Sequence, residues 1–132
     1  MAFFLSSKIN SGEGIDEGTL YCWGDDSCNK YGLLGLGSQY KATRPCPNSQ
    51  LFDYMIKGVS LAETHGCAVD SSGRLFCWGY GPHGELGLEG SDQSVNIPTI
   101  VTKQKQIIVK KAIAFTTYTA FCSSKVSMLE FC

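Results

Sequence analysis

The apolar residues of this chain fall in short runs. Leu20 to Gly24, Met55 to Ala62, Cys67 to Asp70, Arg74 to Gly79, Gln106 to Phe115 and Tyr118 to Cys122 are each rich in β-branched or aromatic residues. Each is bounded by Gly, Ser, Asp or Pro, which predicts six short strands separated by turns. No stretch carries a sustained helical period with caps, so the chain reads as all-β.

The runs repeat. Gly18-Thr19-Leu20-Tyr21-Cys22-Trp23-Gly24 returns as Gly73-Arg74-Leu75-Phe76-Cys77-Trp78-Gly79, 55 residues later. Met128-Leu129-Glu130-Phe131-Cys132 begins a third copy at the same spacing. Cys67 to Gly73 leads into the second copy, and Cys122, 55 residues after Cys67, leads into the third. After each Trp-Gly comes a second glycine group, Gly32 to Gly37 in one copy and Gly84 to Leu88 in the next, followed by Pro45 and Pro98. The approximate units are 18–72, 73–127 and a truncated third from 128 to 132. A period of this length, made of short antiparallel strands, has the size of one four-stranded propeller blade. The predicted architecture is a partial β-propeller of consecutive four-stranded antiparallel blades, not a closed ring.

The combination of Gly-x-Leu-(Tyr/Phe)-Cys-Trp-Gly, a following Gly-x-Leu-Gly-Leu, a proline and an apolar strand with a His ahead of the next hairpin resembles the repeat of the regulator of chromosome condensation family. The resemblance runs from about Gly12 to Cys132. It implies seven-bladed propellers, of which 132 residues hold about two and a half repeats. The expectation is a fragment of a larger propeller. Terminal blades without neighbours expose apolar faces and strand edges, so the isolated chain is expected to be marginal, aggregation-prone or completed by other chains.

Within this frame, Trp23 and Trp78 end apolar strands and are expected to be buried between sheets. Gly24, Gly35, Gly79 and Gly87 fall where turns or close backbone approaches need a residue without a Cβ. Gly32 to Gly37 lacks the Lys-Ser/Thr of a phosphate-binding loop, and no helix follows it.

Composition excludes several function classes. Lys and Arg number 11 against 12 Asp and Glu, scattered along the chain, so there is no basic footprint for nucleic acid. Apolar stretches such as Ala2 to Leu5 and Ile107 to Val109 are far shorter than the ~18 residues that cross a bilayer. Met1 to Leu5 lacks the positive and apolar regions of a signal peptide. Paired carboxylates placed for acid-base work and Ser-His-Asp sets are not identifiable, and Asp25-Asp26 reads as a turn. No catalytic residue, cofactor or metal is expected.

Seven cysteines are many for a chain this short. Cys67 with Cys77 and Cys122 with Cys132 are each ten residues apart across a predicted hairpin. Facing positions on antiparallel strands have Cα separations of about 4.5–5.5 Å, within disulfide reach. Both pairs are therefore expected as cross-strand disulfides. In the first repeat the position matching Cys67 is Gly12, so the pair is broken there, and Cys28 and Cys46 become candidates for a bridge that leaves Cys22 unpaired. Zinc-type Cys-x2-4-Cys spacing is absent. His65-Gly66-Cys67 reads as packing and hydrogen bonding rather than a dyad. Bridged cysteines would point to a secretory or extracellular setting; unbridged ones would be small buried residues of a cytosolic or nuclear protein.

Function on a propeller belongs to its loops. The candidates are Asp25, Asp26, Lys30 and Tyr31 in one loop and Tyr80, His83 and Glu85 in the next, where aromatic and charged side chains suit protein contacts. The leading expectation is a non-catalytic protein-binding module, with the remaining blades of a parent chain and another protein as partners. The paired cysteines favour the receptor or secreted branch that the resemblance includes. The alternative that it implies is a nucleotide-exchange factor or regulator of a small GTPase.

Overall fold

The computed structural model describes residues 2–5, 18–90, 93–101, 107–123 and 129–131. They form ten strands: β1 (Ala2–Leu5), β2 (Leu20–Asp25), β3 (Lys41–Pro47), β4 (Ile56–Leu61), β5 (His65–Asp70), β6 (Leu75–Tyr80), β7 (Ser94–Ile100), β8 (Val109–Ala114), β9 (Thr119–Ser123) and β10 (Leu129–Phe131). One 3₁₀ turn lies at Ser49–Leu51, and there is no α-helix among the described residues. The strands make three antiparallel meanders, ordered β1-β2-β3, β4-β5-β6-β7 and β10-β9-β8, which do not close on one another. The middle sheet is a complete four-stranded blade. It straddles the sequence period, taking β4 and β5 from before Gly73 and β6 and β7 from after it.

The motif Leu-Phe-Cys-Trp explains the stacking through the pleat, because successive side chains of a strand point to opposite faces. Phe76 and Trp78 of β6 join Ala68 of β5 in a core shared with Leu20, Cys22, Leu34 and Ala42. Leu75 and Cys77 join Cys67 and Val69 in a second core with Val109, Ala114 and Phe121. The middle sheet is thus covered on both faces, and every residue of β5 is buried. In the first sheet Leu20 and Cys22 face the middle sheet as Leu75 and Cys77 face the third. Tyr21 and Trp23 alternate with them and are half-buried, Trp23 at the margin of the first core.

Two strands that the residue pattern did not predict are β3 and β7, and both carry prolines, Pro45 with Pro47 and Pro98. Each strand lies at the edge of its sheet, where a missing N–H breaks no ladder. Each also bulges at the same place. Cys22 and Gly24 face Cys46 and Ala42, so Thr43-Arg44-Pro45 stand opposite the lone Trp23. Cys77 and Gly79 face Thr99 and Val95, so Asn96-Ile97-Pro98 stand opposite Trp78. The recurring proline marks a bulge beside the tryptophan rather than a break between strands.

The bulges also make the structural period uneven. Ser60 faces Cys67 in one hairpin and Ile113 faces Ala120 in the next, a shift of 53 residues rather than 55. Cys122 therefore takes the place of Val69, not of Cys67, and the residue opposite it is Leu129. The opposition of Cys122 to Cys132 drawn from a constant period is not the register found, and Cys132 itself lies outside the described residues. Cys67 does stand directly opposite Cys77, with its thiol free.

Trp78 is the wedge between the first two sheets. It is fully buried, and its indole Nε1 donates to the carbonyl of Leu33 at 2.9 Å, so a loop of the first sheet is tied to a strand of the second. Directly opposite Trp78 on β5 is Gly66. A Cβ there would stand 3.0 Å from the indole ring and 2.9 Å from Leu61 Cδ2. Glycine is needed at this position for space: the ring lies where a side chain would be.

Gly66→Ala should therefore destabilise the chain by about 1–3 kcal/mol through overpacking, and Trp78→Ala by about 3–5 kcal/mol through the cavity it leaves. Urea unfolding monitored by circular dichroism measures both; a Gly66→Ala variant as stable as the parent would contradict the packing described.

Candidate binding face at one end of the blades

In an antiparallel meander the connections alternate between the two ends of the sheet. The β4–β5 turn (Ala62 to Thr64) and the β6–β7 loop (Gly81 to Gln93) share one end. The β2–β3 loop (Asp26 to Tyr40) lies beside them, because it packs onto β7: Gly37 N–H donates to the Asn96 carbonyl at 2.9 Å, and a Cβ on Gly32 would fall 2.7 Å from Asn96 Cα. The β8–β9 turn, Phe115 to Tyr118, is the repeat of the β4–β5 turn and completes this end.

The two long loops share a frame. Gly35 N–H bonds the Gly32 carbonyl at 2.9 Å, and Gly87 N–H bonds the Gly84 carbonyl at 3.0 Å, closing equivalent turns. Inside each turn the carbonyl of Leu33 or Glu85 points to the following sheet, where it accepts from Trp78 Nε1 or from the Thr119 hydroxyl, both at 2.9 Å. Asn48 adds a brace, donating its side-chain amide to the Gly35 carbonyl at 2.9 Å. The loops are thus held by the neighbouring blade, not by their own strands alone.

A buried carboxylate braces each loop in a different way. Asp26 accepts from Gly32 N–H at 2.8 Å and Leu33 N–H at 3.1 Å. In the second loop Gly81 replaces the aspartate, and the space its missing Cβ leaves is taken by the Glu85 carboxylate, 3.0 Å away, which accepts from His83 N–H at 2.8 Å. Asp26 and Glu85, expected among side chains offered to a partner, are instead buried. Their charges satisfy backbone N–H groups that would otherwise lack partners.

The remaining candidates stay at the surface. Tyr31 and Tyr80, from different loops, stack with ring centroids 5.2 Å apart and an interplanar angle of 17°. Both are half-buried, and Lys30 and His83 are exposed. Lys30, at φ 52, lies over the Tyr40 ring at 6.0 Å. Asp25 is an exposed turn residue: its carboxyl is held at about 2 by the Ser27 hydroxyl and backbone N–H and by Lys41, 3.1 Å away. Phe115 and Tyr118 form a second exposed stack, with centroids 4.5 Å apart.

Beneath this face lies a buried polar link. Thr119 has one hydroxyl hydrogen and gives it to the Glu85 carbonyl, so its contact with His65 Nε2 at 2.9 Å is one in which the imidazole donates. His65 is therefore the neutral Nε2–H tautomer, and its buried Nδ1 has no hydrogen-bond partner. Burial pushes its pKa below the ordinary 6.5, with the Glu85 charge and the Tyr118 backbone pulling the other way.

Comparison with known proteins agrees with this geometry. The sequence profile of the Regulator of chromosome condensation (RCC1) repeat matches residues 17–69 and 72–121. The chain belongs to the RCC1 repeat family. It is 33% identical over 85 residues to the ultraviolet-B receptor UVR8 of Arabidopsis thaliana, covering 64% of this chain and 18% of UVR8. Human WBSCR16 superposes with a TM-score of 0.69 at 26% identity over 83% of this chain and 27% of that one. Prp20p of Saccharomyces cerevisiae, whose binding to Gsp1p and histones has been described, superposes at 0.66 with 20% identity over 84% of this chain and 27% of its own. The chain thus spans less than a third of the length of these relatives.

Seen as RCC1 repeats, the residues that the pattern missed have a clear origin. Phe115 and Tyr118 were assigned to strand ends, although two aromatics flanking Thr116-Thr117 are a turn signal. The His65 link was hidden because the structural equivalent of His65 in the next blade is Tyr118, two residues off the period of the Leu-x-Cys-Trp motif.

His65 gains nothing from protonation in the folded chain, where a second N–H would be buried without an acceptor, whereas the unfolded chain titrates near 6.5. The stability that follows from the neutral ring is complete above that value and is lost as pH falls below it. Denaturant midpoints should drop between pH 7.5 and 5, and His65→Gln should flatten that part of the profile; an unchanged slope in the variant would show that other groups cause it.

Proposed function

We propose that this chain is a non-catalytic protein-binding segment of an RCC1-type propeller, and that the end carrying the β2–β3 and β6–β7 loops meets the partner. The observation that carries the reading is the Tyr31–Tyr80 stack. Two aromatic rings from different blades are fixed side by side, half-exposed, on loops anchored through the Leu33 and Glu85 carbonyls. Rigid, partly exposed aromatics cost little conformational entropy on binding and suit hot-spot contacts. Lys30 and His83 flank the pair, with the second stack of Phe115 and Tyr118 on the same end. The partners proposed are another protein and the further blades of a longer propeller.

A second reading, nucleotide exchange on a small GTPase, draws on the likeness to Prp20p, which is a likeness of fold. Accelerated release of a fluorescent guanine nucleotide from a purified small GTPase would favour it over a passive scaffold.

The binding face is tested by placing the photo-crosslinking residue p-benzoylphenylalanine at Tyr31, at Tyr80 or, on the opposite end of the blades, at Phe52, in the protein expressed in its own cells. Discrete protein adducts are expected from Tyr31 and Tyr80 and not from Phe52. Adducts from Phe52 alone, or from none of the three, would overturn the assignment.

A further inference from the structure

Two pairs of cysteines face each other across strands, and the structure separates them by access. Cys67 and Cys77 lie between the middle and third sheets at 0% and 1% exposure, enclosed by Val69, Leu75, Val109 and Phe121. Cys22 and Cys46 are the second pair, directly opposite on β2 and β3. Cys22 is fully buried in the first core, but Cys46 is only partly buried and sits on the edge strand next to the Thr43-Arg44-Pro45 bulge.

We propose that Cys22 and Cys46 form a redox-responsive dithiol that closes to a cross-strand disulfide, while the Cys67 and Cys77 pair is shielded by the core. Facing residues of an antiparallel pair place their Cα atoms within disulfide range and their Cβ atoms on the same face. An irregular edge strand can shift to reach the dihedral angle the bond requires, whereas β5 and β6 are the inner strands of a fully covered sheet. Both thiols are free in this structure, which represents the reduced form.

The oxidant is a low-molecular-weight disulfide. The thiolate of Cys46, the reachable member, attacks one sulfur of that disulfide, and the first small thiol leaves. Cys22 then loses its proton and attacks the Cys46 sulfur, expelling the second small thiol. One disulfide is reduced to two thiols, and two protein thiols become one disulfide; two electrons and two protons are transferred. Burial pushes the Cys22 thiol up to about 12, against a lowering contact from Asn48, so the second step is the slow one and the mixed disulfide on Cys46 precedes the closed form.

The bond would act on the loop that carries Tyr31. Asn48, which touches the Cys22 thiol, also holds the Gly35 carbonyl, and Gly35 packs 3.1 Å from the Trp78 indole nitrogen when given a Cβ. Linking β2 to β3 beneath this contact clamps the edge strand at the base of the loop.

The test treats the purified chain with glutathione disulfide, traps remaining thiols with N-ethylmaleimide and maps it, non-reduced, after digestion with trypsin and an Asp-directed protease. That combination separates Cys22 from Cys28, which lie either side of Asp25 and Asp26. The expected product is a Cys22–Cys46 linked peptide, preceded by glutathione on Cys46, with Cys67 and Cys77 labelled only after denaturation. Cys22→Ser should halt the reaction with glutathione retained on Cys46, and Cys46→Ser should leave Cys22 unmodified. A Cys67–Cys77 or Cys28–Cys46 link formed in preference, or glutathione remaining on Cys46 of the unaltered chain without closure, would overturn the proposal.

Discussion

The constraint on which the rest of this structure depends is that an indole must be buried between two sheets with its N–H bonded. Trp78 meets it by lying across Gly66 and donating to the Leu33 carbonyl, and both conditions reach beyond its own strand. The first demands a glycine on the neighbouring strand. The second demands a loop from the preceding sheet, closed by a turn that presents its carbonyl outward. Asn48 and Asp26 exist to hold that loop, and the three-residue bulge with Pro98 exists to let β7 pass the tryptophan. A single large side chain thus organises an inner strand, an edge strand and the loop of the next blade.

The same logic explains why the loop end of the blades is suited to binding. A loop fixed only by its own strands pays for ordering when a partner arrives. Here the carbonyls of Leu33 and Glu85 are already committed to the following sheet, so the tyrosines above them are ordered before any contact is made. The anchoring is not identical in the two loops. One uses tryptophan and an aspartate that precedes the turn; the other uses threonine, a histidine and a glutamate within the turn. Position is kept while chemistry varies, which is what is expected where the fold needs a bonded carbonyl and does not need a particular donor.

Much of this was legible in the residues. Leu20 to Gly24 and Leu75 to Gly79 fixed the inner strands because their alternation is strong and their glycines have positive φ, 130° at Gly24 and 104° at Gly79. Strands β3 and β7 were illegible because proline usually signals a break, and only a sheet edge with a bulge reconciles it with a strand. The loop carboxylates were misread for a related reason. Charge in a glycine-rich loop suggests exposure, yet Asp26 and Glu85 turn inward because a tight turn leaves backbone N–H groups with no other acceptor. The cysteine register failed at Cys122 for want of two residues, since a bulge shortens the repeat locally without altering its motifs.

That last point bears on how a repeat distributes chemistry. In a strand a shift of one residue turns a side chain to the other face, while a shift of two keeps the face and changes the partner. The shortening from 55 to 53 is of the second kind. It preserves the burial of Phe121 against the middle sheet, where Ala68 stands one blade earlier, and so costs the core nothing. It does change which residues stand opposite one another, which is why Cys122 meets Leu129, why Tyr118 stands where His65 stood, and why Thr119 falls opposite the imidazole of the blade before. Packing tolerates such slips as long as they are even, and the pairs of polar and thiol groups that they create or remove are where otherwise equivalent blades become different from one another.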